Sequence, residues 1–292
     1  MEQKASVHII GAGVSGLIAA YELEQAGYHP VILEKQGTCG GRIQTIKVED
    51  YQLDIGCQVL LSAYPLAQKY LDLEALRLRK LEPGAQILVD GKRFVIGDPL
   101  RNWKVLLPTI FSGIGSVRDK LKVVKLNFDL KKKSLDEIFN SPEVTTLEYL
   151  RTLGFSETII TRFFKPFFSG IFLETELQTS SRMFEFVYKM FGEGHAMIPQ
   201  DGIGAISEQL KAKLINTTFR FNCEVQSLNS TVITLENGEL IPHQGTIVTA
   251  NAAALIPNLT DAETKWKSCM CLYFEVDNTS IPPETIALIA DE

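Results

Sequence analysis

Five cysteines in 292 residues, an odd number with no Cys-x-x-Cys pair, make neither a disulfide framework nor a zinc site. They point to reduced thiols in a cytoplasm-like compartment. Histidine is scarcer still. His8, His29, His195 and His243 stand far apart along the chain and supply no metal-ligand spacing and no triad, so no metal is expected. No apolar run approaches the roughly 20 residues needed to cross a bilayer. Polar Met1–Ser6 leads straight into an apolar stretch, so no secretory leader is expected. There is no internal repeat and no low-complexity linker. The net charge of −6 gives no reason to expect a nucleic-acid partner. A 45% apolar content over this length suits a soluble globular protein with more than one domain.

What is present is concentrated in residues 6–42. Val7–Ile10 is an apolar run of buried-strand type, followed at once by Gly11-Ala12-Gly13-Val14-Ser15-Gly16. Leu17-Ile-Ala-Ala-Tyr-Glu-Leu then has helical spacing. Gly11 permits a tight turn from strand into helix, Gly13 lets backbone amides approach a pyrophosphate, and Gly16 lets helix pack on strand. Phosphate charge would sit on the free amides and positive dipole end of that helix. Glu34 closes the second apolar strand, 18 residues after Gly16, where a carboxylate can accept hydrogen bonds from ribose hydroxyls. These pieces describe a pocket for the ADP half of a dinucleotide. Beyond the second strand, Gly40-Gly41-Arg42 allows close backbone approach to a ligand and offers an arginine fork to phosphate.

The stretch Val7–Thr45, with Asp54-Ile-Gly56-Cys-Gln58 after it, resembles the N-terminal part of the flavin-containing amine oxidase superfamily, which includes protoporphyrinogen oxidases and phytoene-type desaturases. The resemblance implies FAD as cofactor. Carried over, Gly11, Ala12, Gly13, Val14, Ser15, Gly16, Glu34 and Lys35 surround the ADP half. Gly41 and Arg42 lie on the pyrophosphate and flavin side, and Gly56 and Gln58 lie near the isoalloxazine. Many members carry arginine where this chain has Gln36 or Thr38, which weakens charge compensation at that edge.

Further matches come late. Ile198-Pro199-Gln-Asp-Gly202-Ile-Gly204 resembles the family's segment before the chain re-enters the FAD domain. Phe219–Val225 reads as a strand, and Asn237-Gly238 as a hairpin turn between Thr231–Glu236 and Glu239–Pro242. By resemblance, the backbone of Val225 holds adenine. Thr246–Asn251, with Ala250, is similar to the strand and turn that return beside the dinucleotide. The fold expected is α/β: a Rossmann-like FAD-binding domain, with a parallel sheet and an adenine-side β-meander, interrupted by a mostly helical α+β substrate domain. The expected boundaries are 1–61 and 198–260 for the FAD domain, 62–197 for the substrate domain, and 261–292 for the start of a second substrate-domain segment.

The middle of the chain changes texture. Ser134–Glu137 and Thr145–Glu148 have capping-box spacing, and Asp90-Gly91 marks a hairpin from Ile87 to Ile96. Phe163–Phe172 and Met183–Phe191 are dense in aromatics, which serve either as plain core or as walls for an apolar or aromatic substrate. Between Arg101 and Lys133 there are nine basic and two acidic residues, +7 against −13 for the remainder. Trp103, Leu106, Leu107, Ile110 and Phe111 follow helical spacing there, interrupted by Pro108. Such a stretch either makes peripheral contact with an anionic membrane or is a solvated face over a buried apolar stripe.

No acid, base or nucleophile stands out. Cys269 and Cys271 have strand spacing and are expected to share a buried face, badly aimed for a disulfide. Many amine oxidases place a lysine near the flavin on the corresponding strand. That position falls at or near Cys269, two residues from Lys267, which favours the desaturase-like branch. Family members normally continue well beyond the position of Glu292, so the resemblance implies a truncated chain or a second chain that completes the FAD site. Three readings follow: an FAD-dependent oxidoreductase acting on an apolar or aromatic substrate, an amine oxidase proper, or a non-catalytic dinucleotide-binding module. An NAD-dependent dehydrogenase is a weaker fourth, because nothing after residue 42 resembles a nicotinamide-side site.

Overall fold

The computed structural model describes residues 7–56, 59–97, 112–256, 259 and 265–290. The chain forms two compact units. The first holds Met1–Val59, Leu66–Leu78 and Ile198–Trp266; the second holds Leu60–Pro65, Arg79–Met197 and Lys267–Glu292.

The first unit is built on a four-stranded parallel sheet in the order Thr218–Arg220, Val31–Leu33, His8–Ile10, Thr246–Val248. All four strands are three residues long, and the two inner ones, His8–Ile10 and Val31–Leu33, are the most buried, as expected where both faces are covered. Leu17 and Ala20 of the helix Val14–Gln25 are wholly buried. That helix ends at Gly27, whose φ of +79° lets Tyr28 N–H reach back to the Leu23 carbonyl at 2.9 Å. The antiparallel meander Val225–Leu228, Val232–Leu235, Leu240–Pro242 packs Val225, Ile233 and Leu235 against Ile10 and Leu33 of the parallel sheet. The expected single strand Phe219–Val225 is in fact two. It breaks around Asn222, at φ +52°, because the chain leaves the parallel sheet there and enters the meander.

In the second unit the strands Gly84–Val89 and Lys92–Gly97 form the hairpin expected around Asp90-Gly91. Both turn residues have positive φ, and Ile286–Ile289 adds a parallel third strand. Helices cover one face of this sheet. Capping boxes at Ser116/Asp119, Ser134/Glu137 and Thr145/Glu148 start three of them. Phe164, Phe168 and Phe184 are wholly buried at the centre. Ile160–Phe164 is a π-helical turn directly before Pro166. Proline has no N–H to give the Arg162 carbonyl and its ring crowds that oxygen, which widens the turn.

One expectation fails outright. Cys269 and Cys271 are exposed, and residues 265–277 form no strand. Alternation gives this segment strand character, but among the described residues no strand pairs with it.

Candidate dinucleotide site

The first strand, the glycine turn and the Gly40-Gly41 segment meet in one place. Gly11 N–H donates to the Leu33 carbonyl at 2.9 Å, Gly40 N–H donates to the Ala12 carbonyl at 2.9 Å, and Gly13 and Gly40 form a parallel bridge. Thr249 locks the turn from the far strand. Its hydroxyl lies 2.9 Å from the Ile10 carbonyl oxygen and 3.1 Å from that of Gly11. Ala250, next to it, is exposed.

The three fingerprint glycines are needed for different reasons. A Cβ on Gly16 would overlap the Gly11 carbonyl oxygen, so the chain itself requires that glycine. Gly13 has an ordinary φ of −71°, and a Cβ there would meet no protein atom within 4 Å. Neither backbone strain nor packing accounts for it, and the main chain here is open to close approach by a ligand. Gly13 is also the N-cap of Val14–Gln25. It offers no side-chain cap, and no acidic residue stands in the first turn, so the amides of this helix end face the open side without a competing carboxylate. Val14 is half-buried and Ser15 exposed at the same end.

Glu34 is buried, and its carboxylate is fixed by the backbone. Oε2 accepts from Ala12 N–H at 2.7 Å and Oε1 from Gln36 N–H at 2.8 Å. Each oxygen keeps one further lone pair for a ribose hydroxyl. Lys35 points to the exterior, and Gln36 is tied to Gln44 at 2.8 Å. Val225 is buried in the meander, beside the segment where Cys223 N–H donates to the Glu34 carbonyl at 2.9 Å.

On the other side, Gly41 at φ +58° would place a Cβ 3.5 Å from the Gly13 Cα. Arg42 is exposed, with its guanidinium carbon 5.6 Å from the Trp266 ring centroid. Gly56 pairs with Ile43 in the antiparallel ladder Ile43–Val48/Tyr51–Gly56, which sets it beside Arg42. Gln58 lies outside the described residues. Sequence reasoning missed the clamp behind this ladder. Thr45 Oγ1 donates to Asp54 Oδ1 at 2.6 Å, Asp54 Oδ1 accepts from Ile203 N–H at 2.9 Å, and Thr45 Oγ1 accepts from Gly204 N–H at 2.8 Å. The signal was available: a Thr and an Asp opposite each other in a hairpin, and two glycines at 202 and 204.

Cys39, next to the Gly-Gly pair, is no nucleophile. Burial, with the Glu208 carboxylate beside it, pushes its thiol up to about 11, so it stays protonated and donates to Glu208 at 3.4 Å. Among the described residues no group of three His, Cys, Asp or Glu side chains could hold a metal ion.

The family described as flavin containing amine oxidoreductase matches residues 14–269, and the chain belongs to it. Its membership implies FAD as the cofactor, and the open Gly13 cradle, the uncapped helix end and the fixed Glu34 carboxylate fit the ADP half of that molecule. Protoporphyrinogen oxidase 2 of Arabidopsis thaliana is 28% identical over 56% of this chain and 32% of its own length. A 1-hydroxycarotenoid 3,4-desaturase of a Flavobacterium is 26% identical over 83% of this chain and 55% of its own length. The chain thus spans about a third to just over half of these relatives. An oxidoreductase from Methanosarcina mazei shares the fold, with a TM-score of 0.64 at 20% identity over 88% of this chain and 62% of that one.

Proposed function

We propose that the chain binds FAD at the 11–16, 34 and 40–42 cluster and serves an oxidoreductase of desaturase or oxidase type acting on an apolar or aromatic substrate. The observation that carries this reading is Gly13, a glycine that no protein atom requires, at the uncapped end of a helix. FAD, when bound, supplies the acceptor for the hydride or electron pair removed from substrate. The chain's own part is to hold it. Backbone amides at Gly13–Ser15 meet the pyrophosphate, the Glu34 carboxylate orients the ribose, Val225 backs the adenine, and Arg42 offsets phosphate charge. Gly56 is required by the Arg42 carbonyl, which a Cβ there would overlap, and so holds that backbone in place. Support for the substrate class comes from the aromatic side chains Phe163, Phe167 and Phe191 that line a cavity of the second unit, and from the names of the porphyrinogen and carotenoid relatives.

We also place the enzyme in the cytoplasm, in peripheral contact with an anionic membrane. No helix among the described residues is long and apolar enough to cross one. The helix Val117–Lys132 buries Asp119, Leu126 and Leu130, while Val117, Leu121, Val124 and Phe128 form a stripe on its opposite side, 43–66% exposed. The face expected to be solvated is therefore itself apolar, with Arg118, Lys125, Lys131 and Lys132 exposed along it. Residues 101–111 of the basic stretch lie outside the described residues.

Anaerobic addition of small apolar or aromatic reductants to the FAD-loaded chain tests the redox reading. Loss of the oxidised-flavin band with at least one of them is expected. A bound flavin that none of them bleaches would leave the dinucleotide-binding module as the better description.

A further inference from the structure

The second unit contains an apolar cavity of about 390 Å³, formed entirely by its own residues. The aromatic segments divide around it: Phe164, Phe168 and Phe184 are core, whereas Phe163, Phe167 and Phe191 line the cavity. Phe163 and Phe167 stack at 5.8 Å and 24°, and Phe191 meets Phe167 edge-on at 5.2 Å. These rings present both faces and edges to whatever enters.

Size limits the occupant. A cavity of about 150 Å³ takes one benzene, so this one takes about two to three rings. Charge limits it too. Among the described residues no lysine or arginine lines the cavity, its one acid, Glu82, is exposed, and Tyr188 and His195 are further polar side chains on the wall.

One polar spot on the wall is shaped by a pair of residues, Gly192 and Asn127. Gly192 lies in the helix Ser181–Glu193, where glycine is unfavourable. A Cβ at 192 would lie 2.5 Å from Asn127 Oδ1 and 3.5 Å from Asn127 Cγ, and the nearest atom of another residue, Lys131 Cε, is 4.0 Å away. The missing side chain therefore makes room for the Asn127 carboxamide, and both residues line the cavity.

We propose that this cavity binds a neutral aromatic molecule of two to three rings bearing one N–H or O–H donor, read by the Asn127 carboxamide, with Gly192 setting the space. The proposal rests on the oxidoreductase reading only in taking that molecule as the substrate.

N-phenyl-1-naphthylamine, a neutral three-ring probe with one N–H whose emission rises on leaving water, tests it on the full chain. Saturable binding of one probe per chain is expected. Gly192→Phe abolishes it. Asn127→Leu weakens it about tenfold, while 1-phenylnaphthalene, which has no donor, binds both forms alike. Absence of saturable binding, or binding unchanged by Gly192→Phe in a protein with native circular dichroism, overturns the proposal. If Gly192→Phe does not fold, Asn127→Leu decides: an equal effect on both probes removes the donor assignment. Flavin absorbance of the same samples separates the two readings. Probe bound without FAD sinks the oxidoreductase reading alone; FAD bound without probe sinks this proposal alone.

Discussion

Gly13 and Gly16 stand three residues apart and answer to different demands. Gly16 is enforced by the Gly11 carbonyl, so Gly16→Ala is expected to lower thermal stability clearly. Gly13→Val puts its side chain into open space. It should leave the melting temperature nearly unchanged and weaken FAD at least tenfold, as titration by flavin fluorescence would record. A loss of stability with FAD affinity intact would contradict the assignment. His8 makes a second case. It is buried in the central strand, and its Nδ1 has no partner; the same holds for His243 Nδ1 and for Thr246 Oγ1 on the neighbouring strand. Burial, then the nearby His243 and Arg220, hold its pKa below the ordinary 6.5. Between the folded value and 6.5 the unfolded chain binds more protons, so stability falls as pH drops below about 6.5 and levels off once the folded histidine also titrates. Melting curves at about pH 5.5 and about pH 7.5 should differ, and His8→Gln should reduce the difference. The glycines were legible in the sequence because their spacing is local. The approach of His8 to His243 was not, since only strand pairing brings residues so far apart together.

The helix Val117–Lys132 carries two expectations of its own. Its exposed apolar stripe predicts that Leu121→Gln with Phe128→Gln, both on the outer surface, leaves folding intact and lowers binding to vesicles containing phosphatidylserine. Lys125→Glu with Lys132→Glu should lower it further at low salt. Sedimentation with unchanged vesicle binding in both variants would end the membrane reading. At the helix start, Asp119 accepts from Ser116 N–H at 2.8 Å and Oγ at 2.7 Å, and from Ser156 N–H at 2.9 Å and Oγ at 2.8 Å. Burial alone would raise its pKa, but these bonds outweigh it and hold the carboxyl down at about 2. Asp119→Ala should cost about 2–3 kcal/mol in denaturant unfolding. The wild-type contribution should fade as pH falls from 3.8 towards 2. Periodicity and the capping boxes were readable here. Which apolar stripe faces inward was not, because both have helical spacing and only docking against Ser181–Glu193 decides. The same limit explains residues 265–277: alternation states that a segment can be a strand, not that a partner strand is beside it.

At the scale of the molecule, one chain supplies two compact units and threads between them repeatedly, at residues 60, 66, 79, 198 and 267. Parallel pairing of His8–Ile10 with both Val31–Leu33 and Thr246–Val248 is what closes the dinucleotide site, since the third strand comes from more than 200 residues downstream. The strand–glycine–helix–strand order made this half of the fold legible. The cavity was hidden, because residues 84–97, 123–127, 163–196 and 286 converge only through tertiary packing. The central claim is that the Gly13 cradle holds FAD, and the most direct test is the visible absorption spectrum of the purified chain with the released cofactor identified by mass. One FAD per chain is the predicted result. A colourless chain that takes up no FAD on reconstitution would contradict it.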